Sequence, residues 1–309
     1  MTALAQRDEG VLARVPVAVL IVGCSLVWGS NFVAIKEALH YTTPLVMGAG
    51  RALIGGTLLV AIGWARGLRL PRRPADLKAI AWVAFHMTTL STAFLILSVS
   101  RLPAGLASLL GNTMPLFMVV LAVPMLGELP HARSLMGMAI GFVGTTIIAL
   151  PAIHGETSPL GVLYCLLAVL TWASGSIIYK RADLGHIDPV MVVGVQLWFS
   201  AAGLAVVAGL LEDWGDTRFT VKGVAVFLYL ACIGLAFVFL LWAAVLRRAT
   251  AMQASASAYL VPVVGVISGA VLLGEKLTMT ELFGGVLVLA GVAVISTRRP
   301  VVVSETLPE

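Results

Sequence analysis

Ten stretches of roughly twenty apolar residues follow one another along this chain, separated by short polar connections. An α-helix needs about 20 apolar residues to cross a bilayer, so each stretch has the length of one membrane span. Of the 309 residues, 60% are hydrophobic and only 11% are charged, too few charges to cover a soluble protein of this size. The sequence predicts an all-α polytopic membrane protein with spans at 16–36, 44–64, 79–98, 103–126, 132–151, 158–178, 189–210, 222–246, 250–273 and 280–297.

Lysine and arginine are distributed unevenly between the connections. If the N-terminus is cytoplasmic, 14 of the 20 basic residues fall in cytoplasmic connections and tails, and Arg51 alone lies inside a span. Because cytoplasmic loops carry the excess of positive charge, both termini are predicted to lie inside the cell. The net charge of +5 thus reports orientation, and no basic stretch interleaved with aromatics indicates nucleic-acid binding. The external connections hold Lys36, Arg101, Arg218, Lys222 and Lys276.

The two halves of the chain repeat each other's sequence. Trp28, Ser30 and Lys36 recur 144 residues later as Trp172, Ser174 and Lys180. Further along the chain the offset grows to 147. At that offset the matched residues are Arg101, Ala104, Ala107, Ser108, Pro115, Leu126, Gly127, Glu128, Leu135, Gly137 and Gly144 with Arg248, Ala251, Ala254, Ser255, Pro262, Leu273, Gly274, Glu275, Leu282, Gly284 and Gly291.

Each half holds five predicted spans, an odd number, so the second half must enter the membrane upside down relative to the first. Inverted repeats are the architecture of alternating-access transporters, which bind substrate near mid-membrane at the repeat interface. We therefore expect a cytoplasmic tail at 1–15, a first five-helix repeat at 16–151, an inverted second repeat at 158–297 and a cytoplasmic tail at 298–309.

Motifs in both halves carry a family resemblance. The first span contains Trp-Gly-Ser-Asn at 28–31, and two later spans run from an alanine-rich start through a central proline to Gly-Glu, at Ala104, Pro115 and 127–128 and at Ala251, Pro262 and 274–275. The chain resembles the drug/metabolite transporter superfamily, in its EamA-type branch, over about 16–297. The resemblance implies a secondary transporter, often an exporter of amino acids or related small metabolites. It also implies a central cavity formed by helices 1, 3, 4, 6, 8 and 9. The second half departs from the first motif with Trp-Ala-Ser-Gly at 172–175.

The expected partners are the lipid bilayer of a bacterial inner membrane and a small-molecule substrate. A monomer is expected, because Gly137 and Gly141 in the fifth span favour close packing within the bundle. Dimerisation through the fifth and tenth spans is the alternative. No cofactor or metal is predicted, since Cys24, Cys165 and Cys232 lie apart in apolar runs.

Polar and aromatic side chains deep in the spans are the candidates for substrate binding, because a polar group there is costly unless it has a partner or lines a cavity. In an α-helix, His86 and Thr89 would share one face of the third span. Asn112 and Tyr259 occupy equivalent places one turn before the two central prolines. The predicted substrate-binding set is Trp28, Ser30, Asn31, His86, Thr89, Asn112, Trp172, Ser176, Phe237 and Tyr259.

Several residues within the spans have more than one interpretation. Trp28 and Trp172 belong either to an interfacial belt or to packing and cavity lining. Pro115 and Pro262 each free a backbone carbonyl in mid-span, which either bends the helix for packing or makes a hinge. Arg51 either snorkels to the outer interface, pairs within the bundle, or meets an anionic group such as a carboxylate.

The distribution of acids bears on energy coupling. No Asp or Glu falls in the middle of a predicted span, so proton coupling would depend on His86 or a helix-end carboxylate. No nucleotide-binding Gly-x4-Gly-Lys-[Ser/Thr] loop is present. The sequence favours gradient-driven export of amino acids, including aromatic or other large apolar ones, or of related small metabolites. The alternative is a proton-coupled exporter of drugs or other metabolites. A membrane-embedded enzyme acting on lipid-linked substrates is disfavoured, because its acids or metal ligands are missing.

Overall fold

The computed structural model describes residues 15–114, 116–117, 120–121, 132–153, 157–248 and 257–296. Within these ranges the chain forms helices and connections without a strand. The helices are α1 Val17–Ala38, α2 Pro44–Ala65, α3 Pro74–Val99, α4 Ala104–Gly111, α5 Ala132–Ile153, α6 Pro159–Arg181, α7 Pro189–Leu211, α8 in three consecutive segments (Val221–Leu228, Tyr229–Phe237 and Val238–Arg248), α9 Ser257–Leu273 and α10 Met279–Ser296.

Six of these helices are long and apolar enough to cross a membrane, namely α1, α2, α3, α6, α7 and α8. Shorter apolar helices occur at Leu135–Ile148, Leu260–Leu273 and Met279–Gly291. The protein is therefore an all-α, multi-pass membrane protein, as predicted. The third helix begins at Pro74, earlier than the apolar pattern indicated, because proline is well suited to the first turn of a helix.

Local sequence signals account for the ends of several helices. Proline occupies the first turn of α2, α6 and α7, and the Ser158 and Asp188 side chains cap α6 and α7 by accepting backbone N–H bonds. The capping box expected before α10 is present. The Thr278 N–H donates to Glu281 Oε2 at 2.7 Å, and the Glu281 N–H donates to Thr278 Oγ1 at 3.2 Å.

Glycine faces allow two helix pairs to approach closely. In α10, a Cβ at Gly291 would lie 2.5 Å from the Gly137 carbonyl oxygen and 2.6 Å from the Gly141 nitrogen in α5. Between α2 and α7, a Cβ at Gly56 would lie 2.9 Å from the Gly194 carbonyl oxygen. Small residues at such contacts are typical of membrane helix packing. The glycine face of α5 is thus occupied by α10 of the same chain.

Two helices depart from α-helical geometry at equivalent places. Residues Ala84–Leu90 of α3 and Tyr229–Phe237 of α8 form π-helix, and shifting the first segment by 147 residues places it inside the second. The two sequences have little in common, since α3 is rich in hydroxyl groups here and α8 is apolar. Segments of π-helix frequently occur at functional sites, so the residues that pack against these two segments are candidates for the functional site.

Hydrogen bonds between connections and helix ends show which of them lie at the same end of the bundle. At one end, the Glu212 carboxylate accepts the Leu45 N–H at 2.9 Å and thereby joins the α7–α8 connection to the start of α2. At the other end, Asp76 Oδ2 lies 3.1 Å from His186 Nε2 and joins the start of α3 to the α6–α7 connection. This grouping matches the alternation between external and cytoplasmic connections that the charges predict.

Candidate functional site

Helix α1 contacts the π segment of α8 through its Trp-Gly-Ser-Asn motif. Asn31 is 9% exposed, and its Nδ2 donates to the Gly234 carbonyl at 2.8 Å, while its Oδ1 is buried without a hydrogen-bond partner. One residue earlier, the Ser30 and Tyr229 hydroxyls lie 2.7 Å apart. A Cβ at Gly234 would collide with Asn31 Oδ1, so the absence of a side chain makes room for the amide.

Helix α6 makes the corresponding contact with the π segment of α3. Ser174 Oγ lies 3.3 Å from His86 Nδ1, and a Cβ at Gly175 would lie 2.5 Å from Met87 Cβ. In the sequence repeat Gly175 corresponds to Asn31, and Met87 corresponds to Gly234. In the first contact the larger residue, Asn31, lies on the motif helix and faces a glycine, whereas in the second the glycine lies on the motif helix and faces the larger Met87. The replacement of asparagine by glycine in the motif at 172–175 is therefore compensated by a larger residue in the π segment.

The two repeated tryptophans approach the same stretch of α8. The Trp28 and Trp242 ring centroids are 5.1 Å apart, and those of Trp172 and Phe239 are 6.4 Å apart. All four side chains are half-buried. An aromatic cluster of this kind offers an amphipathic surface within the bundle, and it favours packing or cavity lining over a position in an interfacial belt.

His86 and Thr89 face different neighbours, although an α-helix would place them on one side. His86 is next to Ser174 of α6, whereas Thr89 is buried against α7, with its Cγ2 3.0 Å from where a Gly203 Cβ would lie. The cause is the π segment, in which the turn is closed by an i→i+5 bond, so that residues three apart no longer align. The His86 ring also packs edge-on against Trp82 and Phe85, with centroids at 5.0 and 5.4 Å.

The other predicted site residues are more scattered. Asn112 follows the end of α4, and its Nδ2 donates to the Ser108 carbonyl at 2.8 Å. Ser176 Oγ donates to the Trp172 carbonyl at 2.8 Å within α6, and Phe237 is 41% exposed. The side chain of Tyr259 lies outside the described part of the chain.

The two prolines can be compared only in part. Pro262 lies inside α9, which continues through it to Leu273. Pro115 itself lies outside the described residues. Helix α4 ends at Gly111, four residues earlier, and a proline at 115 has no N–H to donate to the Gly111 carbonyl.

Arg51 of α2 is buried inside the bundle. Its side chain belongs to a residue only 5% exposed, its Nε has no hydrogen-bond partner, and it forms no ion pair with any described residue. One turn to either side, Gly48 packs against α3 and α7, and Gly55 approaches the Ala231 carbonyl of α8. The guanidinium therefore does not reach the outer surface. A buried charge without a partner is expensive, so this position calls for an anion.

Glu275 connects the two halves at the end of the bundle that the charge distribution predicts to be external. Its carboxylate accepts the Ala104 N–H at 2.7 Å and the Gly105 N–H at 2.9 Å, which are unpaired donors at the start of α4. Lys36 of α1 lies 3.6 Å from the same carboxylate and donates to the Leu102 carbonyl at 2.6 Å. We call Lys36, Glu275 and the first turn of α4 the external clasp.

Sequence reasoning did not assign functional positions to Ser174, Tyr229, Gly234 or Glu275. Ser174 and Glu275 were visible as members of the repeat. Tyr229 and Gly234 left no signal, because their significance comes from a backbone deviation and from residues about 200 positions away.

The fold is that of a multi-pass membrane protein whose two halves contact each other through corresponding segments. A family model described as the EamA-like transporter family matches residues 15–150 and again 159–297. The chain belongs to the EamA-like transporter family. It is therefore a multi-pass cell-membrane transporter rather than an enzyme.

Two relatives and a solved structure each match this chain over at least 90% of its length. The chain is 29% identical over 295 residues to a protein of Escherichia coli (strain K12) described as "Probable amino-acid metabolite efflux pump", covering 92% of this chain and 93% of that protein. It is 25% identical over 292 residues to "Uncharacterized transporter YvbV" of Bacillus subtilis (strain 168), covering 93% of each. A crystal structure matches with a TM-score of 0.63 at 19% identity, over 90% of this chain and 96% of the other, and supports the fold alone.

Proposed function

We propose that this protein exports amino acids, including large apolar ones, or related small metabolites by alternating access between its two repeats. The observation that carries the proposal is the pair of exchanged contacts, α1 on the π segment of α8 and α6 on the π segment of α3. A carrier made of inverted halves opens to one side by a rearrangement equivalent to the one that opens it to the other. Contacts that correspond across the repeat supply the two equivalent interfaces.

The external clasp supports the same mechanism. It ties α1 and α4 of the first half to the α9–α10 connection of the second half through one carboxylate. Release of substrate to the outside requires this end to open, so the clasp is the contact that has to break. The charge-assisted bonds are strong enough to hold the end closed and few enough to be exchanged during transport.

Two features support amino acids as the substrate class. The half-buried rings of Trp28, Trp172, Phe239 and Trp242 offer apolar faces to a large side chain. The guanidinium of Arg51, whose Nε has no hydrogen-bond partner among the described residues, offers a partner for a carboxylate. A name given to the Escherichia coli relative, "Probable amino-acid metabolite efflux pump", points to the same class.

Energy coupling is proposed to be gradient-driven. The acidic residues of the described membrane helices lie near helix ends, as Glu37 and Glu281 do, so a buried carboxylate relay has no support in these ranges. The competing function is proton-coupled export of drugs or other metabolites. His86, held against Ser174, is the observation that favours it.

The test is counterflow in proteoliposomes that contain the purified protein and no ATP. A panel of amino acids is loaded inside, and exchange with the labelled external compound is measured with and without a pH gradient. Exchange of large apolar amino acids independent of the pH gradient supports the proposal. Exchange of only non-amino-acid metabolites would contradict the substrate class and leave transport intact, whereas exchange that requires the pH gradient favours the competing function.

A further inference from the structure

A large groove opens on the side of the bundle, away from the candidate site. It has a volume of about 910 Å³ and is bounded by α2, α7 and the first segment of α8, beneath the connection that joins α7 to α8. We call it the α2–α8 groove. Its lining, drawn from the described residues, includes none of the predicted substrate-binding residues.

The shape of the α2–α8 groove follows from the side chains along it. Deeper in the bundle α2 and α8 touch, because Gly55 lets the Ala231 carbonyl oxygen approach to 3.0 Å from where a Cβ would lie. Towards the external end the floor of the groove includes small residues such as Ala49 of α2 and Ala202 of α7, and the Phe227 ring of α8 lies against Gly50 of α2. The walls are almost entirely apolar.

The roof of the groove is fixed in place by hydrogen bonds. The Arg218 N–H donates to the Tyr41 carbonyl at 2.7 Å, and the Thr42 and Thr217 hydroxyls lie 3.0 Å apart. Two apolar side chains of this roof are strongly exposed, Trp214 at 50% and Phe219 at 87%. Tryptophan and other aromatic residues at such places are typical of the membrane–water interface, so the roof lies at the level of the lipid headgroups.

Charge distinguishes the rim of the groove from its interior. Arg218 is the one charged residue in the described lining, and it is exposed and forms no ion pair with a described residue. Lys222, close by in the sequence, is already engaged by Glu37 at 2.7 Å. An apolar slot with a single free cation at headgroup level is complementary to a molecule with an anionic head and an apolar chain.

We propose that the α2–α8 groove is a binding site for a phospholipid of the outer leaflet, with an acyl chain between α2 and α8 and the phosphate at Arg218. The surrounding helices span the membrane, so acyl chains are the apolar material available to fill the groove. None of the predicted substrate-binding residues lines the groove, and lipid binding there does not depend on the proposed transport function.

The test uses vesicles of phosphatidylglycerol that carry a photoactivatable acyl chain, with the full chain reconstituted. Cross-links are located by mass spectrometry of peptides. The expected result is enrichment on the α2, α7 and α8 peptides that line the groove. Ala202→Trp, which fills the floor, should abolish the enrichment, whereas Val286→Trp, at a lipid-facing position of α10 that is 62% exposed, should leave it unchanged.

Arg218→Gln is a second, independent test, because it removes the positive charge without changing the apolar packing of the groove. We expect it to lower the cross-linking of phosphatidylglycerol about five-fold, which corresponds to about 1 kcal/mol for one cation near the bilayer surface. Lys276→Gln, an exposed cation at the same end, should have no effect. Cross-links spread evenly over α2, α5 and α10 would overturn the proposal. So would cross-links within the groove to a second copy of the chain instead of lipid.

Discussion

The side-chain amide of Asn31 donates a 2.8 Å hydrogen bond to the backbone carbonyl of Gly234 in the π segment of α8. In the other half, the residues at the corresponding positions are a glycine at 175 and a methionine at 87, and they are also in contact. The size of the side chain has moved from one partner to the other, so the interface is preserved although neither residue is repeated. This exchange leads to a direct test.

Gly234→Met should destabilise the protein, because a side chain there collides with Asn31. We expect a loss of about 1–3 kcal/mol, typical of overpacking. Adding Asn31→Gly reproduces the pair found in the other half and should restore at least half of the loss. The measurement is thermal unfolding in detergent of the two single variants and the double variant. Additive effects would show that the two positions are not coupled in this way.

Gly175→Ala should be more damaging than its size suggests. The new Cβ would lie 2.5 Å from Met87 Cβ and 2.6 Å from the Met87 nitrogen, and a backbone atom cannot move aside as a flexible side chain can. A lower unfolding temperature and a lower transport rate are expected together. Gly209→Ala is the matched control in α7, since the nearest atom to its Cβ would be 4.0 Å away, and it should be neutral.

Glu275→Gln should weaken the external clasp. It removes the charge that pairs with Lys36 and weakens the acceptors of two N–H groups at the start of α4. The external end should then open more often, by about five-fold for a cap worth about 1 kcal/mol. A Ser108→Cys reporter between α4 and α9, in a background without the native cysteines, would measure this as faster labelling by an impermeant maleimide added outside.

Two comparisons make the clasp prediction specific. Glu212→Gln removes the negative charge and one of the two oxygens that accept the N–H groups of Leu45 and Val46 at the start of α2, so it should lower the unfolding temperature without changing the labelling of the reporter. Glu128→Gln, the sequence counterpart of Glu275, should slow the labelling if the halves work as equivalent units. Equal acceleration by all three variants would point to general loosening of the bundle.

Arg51→Met should separate stability from function. Arg51 is buried and forms no ion pair within the described ranges, and such a charge costs free energy, so an apolar replacement of similar length should leave the unfolding temperature unchanged or raise it. If Arg51 receives the carboxylate of the substrate, export should fall at least about ten-fold, corresponding to about 1.4 kcal/mol. The wild type should also prefer a free amino acid over its methyl ester, and the variant should not. A variant that unfolds readily would instead indicate a structural role.

His86→Asn should change transport or its pH dependence more than it changes folded yield. Histidine is the side chain that ordinarily titrates between about pH 5 and 8, and here it is held against Ser174 at a contact between the two halves. Transport rates of both proteins measured over that range would show the effect. Identical profiles would assign His86 to packing against Trp82 and Phe85.

Part of the candidate site could be predicted from the sequence and part could not. Trp28, Ser30, Asn31, His86 and Trp172 stand out as polar or aromatic residues at depth or within a repeated motif. The structure places the first four at contacts between helices of opposite halves, whereas Trp172 contacts Phe239 within the second half. The shared face expected for His86 and Thr89 is absent, because that expectation assumed an α-helix. The i→i+5 hydrogen bonding of a π-helix cannot be recognised from residue composition, because the two π segments have unlike sequences.

The sequence by itself determined the membrane class and the approximate positions of the helices, because both depend on the local density of apolar residues. The recurrence of motifs predicts an inverted relation between the halves. The capping box of Thr278 and Glu281 is equally local, and it formed as predicted. Only the tertiary structure decided that Glu275 caps α4, that Arg51 is buried, and that Gly234 accepts from Asn31. These contacts join residues that are distant in the chain, so they form only when the helices have packed. In the packed bundle no water is available to hydrogen-bond a buried donor or acceptor, so a partner from another helix stabilises such a group.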